Sequence, residues 1–134
     1  IYTCLCERYI IGDIKSALAN YVRSLQIAEE LSKRNPDSPD YARDLFVSYN
    51  KFGDIYREQG DIKSAITNYV SALQIAIELG KRNPDSAEYA RDLAVIYFKV
   101  GNSEKLKESL FYMKNKNMHM DQNLIQLCVE HGIK

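Results

Sequence analysis

The chain has 134 residues, with 18 basic and 18 acidic side chains, three Cys and no Trp. That length suits one domain, a hydrophobic content of 46% rules out wholesale disorder, and a net charge of zero argues against a nucleic-acid partner, whose phosphates need a basic surplus. No apolar run approaches the roughly 20 residues of a membrane span, so a soluble chain with no membrane contact is expected. It opens on Ile1 without a signal-like stretch and reads as a piece of a longer protein.

In chain order, the first predicted element is a helix over 1–11, closed by Gly12, which suits the left-handed residue at a helix end. Asp13 caps a second helix over 13–34, where Lys33 and Arg34 face the last carbonyls and Asn35-Pro36 stops the run. A third helix over 38–59 takes Pro39 in its first turn and carries Tyr41, Leu45, Tyr49, Phe52 and Tyr56 on one stripe. Then the pattern returns. Gly60-Asp61-Ile62-Lys63-Ser64-Ala65 repeats Gly12 to Ala17 after 48 residues and opens a fourth helix over 61–82. Ile62, Ala65, Ile66, Tyr69, Leu73, Ala76 and Leu79 recur along it at three- and four-residue steps, an amphipathic stripe.

Lys81 to Ser86 repeats Lys33 to Ser38, and Tyr89 to Leu93 repeats Tyr41 to Leu45. Between 12–45 and 60–93, 26 of 34 positions are identical. A fixed period of this size implies stacked helical units, each burying its apolar face on the next. A fifth helix over 86–100 and a sixth over 103–116 follow. Polar residues 115–120 then interrupt the pattern, and Asp121 caps a seventh helix over 121–131 with Leu124, Ile125, Leu127, Cys128 and Val129 on it. No segment reads as a strand, so the fold class is all-α, with about seven helices.

Groups able to do chemistry are sparse. Cys4, Cys6 and Cys128 are odd in number and form no disulfide framework, which fits reduced thiols in a cytoplasmic protein. Cys128 and His131 make a C-x-x-H pair, half of a zinc site, but no metal and no cofactor are expected. No glycine-rich phosphate loop, nucleophile–base pair or carboxylate pair in a pocket is marked, so no enzymatic activity is expected.

In the middle unit Tyr49, Phe52, Gly53, Tyr56, Gly60, Ala65, Tyr69 and Ala72 have the spacing of the tetratricopeptide repeat signature, and the chain resembles a tetratricopeptide repeat array. Its 48-residue period exceeds the usual ~34 by about two turns on each helix, like the long-helix repeats of large bacterial proteins. Deleting the seven residues Gly53 to Gln59 aligns 96–106 with 48–65, which implies a shorter final unit. The resemblance implies a right-handed superhelix of antiparallel helix pairs, with repeats at 1–36, 37–84 and 85–117 and a capping helix at 121–131.

It also implies a protein–protein interaction module, without catalysis, that holds a peptide or helix of a partner protein in a concave groove. The ligand-facing positions of the family fall on Arg43, Val47, Asn50, Asp54 and Arg57 in the middle unit, on Arg91, Val95 and Phe98 in the third, and on Tyr2, Cys6 and Tyr9 in the first. Asn50 has the groups to pair with a peptide bond. Arg43 and Arg91 have the fork to hold a carboxylate, or equally to pair with acidic side chains of adjacent helices. Lys51 matches a clamp position, but the lysine–asparagine set that clamps a C-terminal carboxylate is missing. Two alternatives stay open: a segment of a longer array that self-associates through an uncapped N-terminal face, and the sensor arm of a larger regulator.

Overall fold

The structure is a computed structural model that describes the backbone of residues 2–133 and the side chains of 15–133. Among the described residues there are six helices and no strand: α1 (Tyr2–Arg34), α2 (Pro39–Glu58), α3 (Ile62–Arg82), α4 (Ala87–Val100), α5 (Ser103–Asn115) and α6 (Gln122–Glu130). The later boundaries follow from local caps. The Ser38, Asp61, Ser86, Asn102 and Asp121 side chains each accept a hydrogen bond from the backbone N–H three residues on, at the starts of α2 to α6. Gly60 (φ 82°) and Gly101 (φ 80°) make the left-handed turns between α2 and α3 and between α4 and α5, a conformation glycine adopts without a Cβ penalty.

One expectation is overturned. The helices predicted at 1–11 and 13–34 are a single 33-residue helix that runs through Gly12 and Asp13, so the count is six and not seven. The reason lies in what the turn at Gly60 rests on. Gly53 sits against the Tyr69 ring so closely that a Cβ there would lie 2.8 Å from Cζ and nearer still to Cε1 and Cδ1. The Tyr69 hydroxyl then donates to Asp54, which ties α3 to α2. In the first copy Leu5 stands for Gly53 and Cys6 for Asp54. Without the notch and the acceptor, the hairpin has nothing to close on. Continuing the helix through one glycine costs only about 1 kcal/mol.

The α2–α3 and α4–α5 pairs each build a core. Phe46, Ala65, Tyr69, Ala72, Ala76 and Ile96 form the first, with Ala72 and Ile96 wholly buried. Ala94, Leu106, Leu110, Met113, Leu124 and Cys128 form the second, which α6 covers with Leu124 and Cys128. Small residues at 65, 72, 76 and 94 let the helices approach, and a charge forced among them would be expelled or would open the pair. The α1 helix joins α2 through Tyr21, edge-on to Phe52 with centroids 6.4 Å apart, and through the Tyr49 hydroxyl, which donates to Glu29 at 2.9 Å.

The final pair is short, as the deletion of seven residues implies. Helix α4 has 14 residues against 20 in α2, and α5 has 13 against 21 in α3. The two pairs share a base, because Arg43 of α2 meets Asp92 of α4 and the Tyr112 hydroxyl of α5 donates to the Pro84 carbonyl after α3. The difference in length is therefore taken up at the other end. There α2 and α3 extend past α4 and α5, with Ile62, Ile66 and Val70 left exposed.

Candidate functional site

The residues proposed to face a ligand start from α2 and α4, whose side chains meet along one face. Lys99, near the end of α4, is the centre of it. Its ammonium donates to Asn50 Oδ1 at 2.8 Å and to both Asp54 oxygens at 3.0 and 3.1 Å, and lies 5.5 Å from the centroid of the Tyr69 ring. Its side chain is only 16% exposed, so this pair is partly desolvated and less screened by salt than a surface one. The Tyr69 hydroxyl shares Asp54, and Arg57 stands 3.7 Å from the same carboxylate. Burial first, and the bond to Asp54 second, push the Tyr69 pKa well above the usual phenol value, so its proton stays in place.

Towards the base, Arg43 Nε lies 3.0 Å from Asp92 and 3.0 Å from Glu88. Asp92 is the buried charged side chain of the described core, at 7% exposure. Burial raises its carboxyl above the ordinary range, and Arg43 pulls the other way without cancelling it. Burial also works against the Arg43 charge, but the hydrogen bond and charge of Asp92 outweigh it and hold the guanidinium above its usual value. Arg91, the counterpart of Arg43 one unit on, donates to Asp121 at 2.8 Å and so fastens α4 to the cap of α6. The Leu124 N–H, then Arg91, hold the Asp121 carboxyl below its usual range.

Beside this polar run lies an apolar one. Val95, Phe98, Leu124 and Leu127 line a cleft of about 420 Å³ between α4 and α6, with Arg91, Lys99 and Glu130 at its edges. Phe98 is 52% exposed, and large aromatic surfaces left in water beside a cleft are the usual anchors of recognition.

The expected residues thus separate into four groups, of which Arg43, held at the base by Asp92 and Glu88, is one. Arg91, Val95 and Phe98 line the α4–α6 cleft, and Asn50, Asp54 and Arg57 adjoin it through Lys99. Val47 stands apart, in a cleft between α1 and α2 with Ile27, Ala28 and Leu31. Tyr2, Cys6 and Tyr9 lie on α1 with their side chains outside the described residues. Sequence reasoning missed Lys99, Asp121, Leu124 and Leu127. A signal existed for the first: Lys99 follows Asn50 by 49 residues, as Asp92 follows Arg43, so a register one beyond the 48-residue period pairs polar residues across units.

Among the described residues no group of three or more His, Cys, Asp or Glu is arranged to hold a metal ion, and no helix is long and apolar enough to cross a membrane. Cys128 is buried with its sulfur 3.8 Å from that of Met120, and His131 Nδ1 lies 2.9 Å from the Leu127 carbonyl oxygen. Residues 44–105 match the family model of the tetratricopeptide repeat. No curated protein matches the chain.

Proposed function

We propose that the chain captures a peptide or helix of a partner protein along the α2–α4–α6 face and performs no chemistry of its own, since residues 44–105 match the tetratricopeptide repeat, whose repeats generally mediate contacts between proteins. The observation that carries this reading is Phe98, half exposed beside Val95 over an apolar cleft. An apolar side chain of the partner fills the cleft between Phe98 and Leu127. The flanking Arg57, Arg91 and Glu130 set orientation, since charges at a rim steer and select more than they bind. Arg43 and Asn50 act here by shaping the face, the Arg43 guanidinium engaged by Asp92 and the Asn50 amide oxygen by Lys99. The cell compartment proposed is the cytoplasm.

The test is affinity capture from source-cell lysate with wild type and Phe98→Ala, after a circular-dichroism melt shows equal folding. A protein retained by wild type and lost by the variant supports the reading, and equal retention sinks it. A second reading, self-association within a longer array, is favoured by Phe111, Ile125 and Val129, which are 59%, 44% and 67% exposed on α5 and α6. A concentration-dependent dimer in sedimentation equilibrium that Val129→Lys abolishes would establish it.

A further inference from the structure

A different cleft, of about 470 Å³, opens between α3, α4 and α5 and shares no residue with the one beneath Phe98. The repeat supplies its control. The cleft between α1, α2 and α3 occupies the same place one junction earlier, because Gly80, Pro84 and Ala90 of the larger follow Ser32, Pro36 and Ala42 of the smaller by 48 residues. Arg82 Nη1 donates to the Pro36 carbonyl at 3.2 Å, and the Tyr112 hydroxyl donates to the Pro84 carbonyl in the same way. The buried residues Leu106, Leu110 and Met113 of α5 stand 34 residues after Ala72, Ala76 and Leu79 of α3, so Ser109 holds the place of Ile75.

Three of the exchanges between the two sites change what the later one can hold. Ile75, on the wall of the earlier cleft, becomes Ser109, and Ser32 becomes Gly80. The earlier cleft measures about 340 Å³. Glu29, whose carboxylate accepts from the Tyr49 hydroxyl at 2.9 Å, becomes Ile77, so the matching hydroxyl of Tyr97 has no hydrogen-bond partner among the described residues. The rim carries Lys81 and Lys105 against one acid, Glu108, which lies 3.1 Å from Lys105. Room for an apolar body, an unengaged donor and a cationic rim occur together.

We propose that this cleft binds a small free carboxylic acid with a branched or aromatic body. The body occupies the space that the Ile75 side chain takes in the earlier cleft, against Ile77, Leu93 and Tyr112. The carboxylate accepts from the Tyr97 hydroxyl, as Glu29 does from Tyr49, with Lys81 and Lys105 supplying the charge. Clefts of about 300–1,000 Å³ with a few convergent polar groups suit such ligands.

The experiment is a titration of the whole chain with 4-phenylbutyrate, followed by backbone amide shifts, against 4-phenylbutyramide as the uncharged isostere. Saturable shifts centred on Gly80, Leu93 and Tyr97 are expected, with the amide and the Tyr97→Phe variant each about tenfold weaker, the scale of one hydrogen bond to a charge. Ser109→Leu refills the cleft and should abolish binding while the thermal midpoint holds or rises. Gly80→Ser serves as the second blocking variant, since a Cβ at Gly80 meets only Leu93 Cδ2, at an ordinary 3.9 Å. Equal binding of acid and amide, undiminished binding by both blocking variants, or no saturable shift would each overturn the proposal.

Discussion

The motif Gly-Asp-Ile-Lys-Ser-Ala stands twice in this chain, at 12–17 inside an unbroken helix and at 60–65 across a tight turn. Six identical residues take two conformations, so what decides lies outside them. At the second copy the deciding contacts come from Gly53 and Asp54, which receive the ring and the hydroxyl of Tyr69. At the first copy the matching tyrosine, Tyr21, packs edge-on to Phe52 of the next helix instead, with Lys51 Nζ 5.7 Å from its ring centroid. A glycine permits a helix to end, but the return packing makes it end.

The largest effect expected is on shape. A Leu5→Gly, Cys6→Asp, Arg8→Tyr variant gives the first copy the notch, acceptor and aromatic of the second, and should bend α1 at Gly12. An unbroken α1 of 33 residues spans about 50 Å at 1.5 Å per residue. Spin labels near its two ends should move together by tens of ångströms, and an unchanged distance would break the comparison. The reverse change, Gly53→Leu, should cost about 3 kcal/mol or more by urea denaturation, because the Tyr69 ring and the new side chain claim one space. A midpoint equal to that of wild type would show that the turn at Gly60 does not rest on this contact.

A smaller loss, about 2 kcal/mol at neutral pH, is expected from Arg43→Ala, which leaves Asp92 buried and unpaired while removing a partner that is itself a third exposed. The pH dependence has a definite sign. Burial raises the Asp92 carboxyl above its reference of 3.8, so its stabilising share is present below that value and is lost as pH rises through the folded pKa. Removing Arg43 lifts the carboxyl further. The deficit of the variant should therefore shrink as the solution is acidified, and a deficit that stays constant or grows would contradict the assignment.

The smallest effect is spectroscopic. Tyr69 and Tyr49 are both raised, first by burial and then by bonds to Asp54 and Glu29, so their tyrosinate absorbance should appear later in an alkaline titration than that of a free tyrosine. Their share of stability holds below about pH 10 and is lost as pH rises towards the folded values. Tyr69→Phe should remove one late-titrating tyrosinate, and an unaltered titration curve would place the Tyr69 hydroxyl in ordinary solvent.

Much of the architecture is legible from residues close in the chain. Asp61 with Ser64, Ser86 with Tyr89 and Asp121 with Leu124 are caps spanning three residues, and the starts of α3, α4 and α6 are readable from them. The face was legible only in part. Arg91, Val95 and Phe98, which the family resemblance implies face a ligand, line one cleft, whereas the resemblance does not single out Lys99 and the α6 wall as its other sides. Asn50, read as able to meet a peptide bond, has its oxygen held by Lys99, a partner visible only once α4 is laid beside α2.

By itself, then, the sequence determined the all-α class, the repeated unit, the caps and the shorter final pair, because these depend on local hydrogen bonds and on apolar periodicity within a few turns. The tertiary structure alone decided whether Gly12 would turn, which charges of α2 are taken up by α4, and where a cleft stays open between helices. Those outcomes rest on contacts between side chains some 15 to 49 residues apart, such as Tyr69 with Asp54 and Arg43 with Asp92, whose register no single helix encodes.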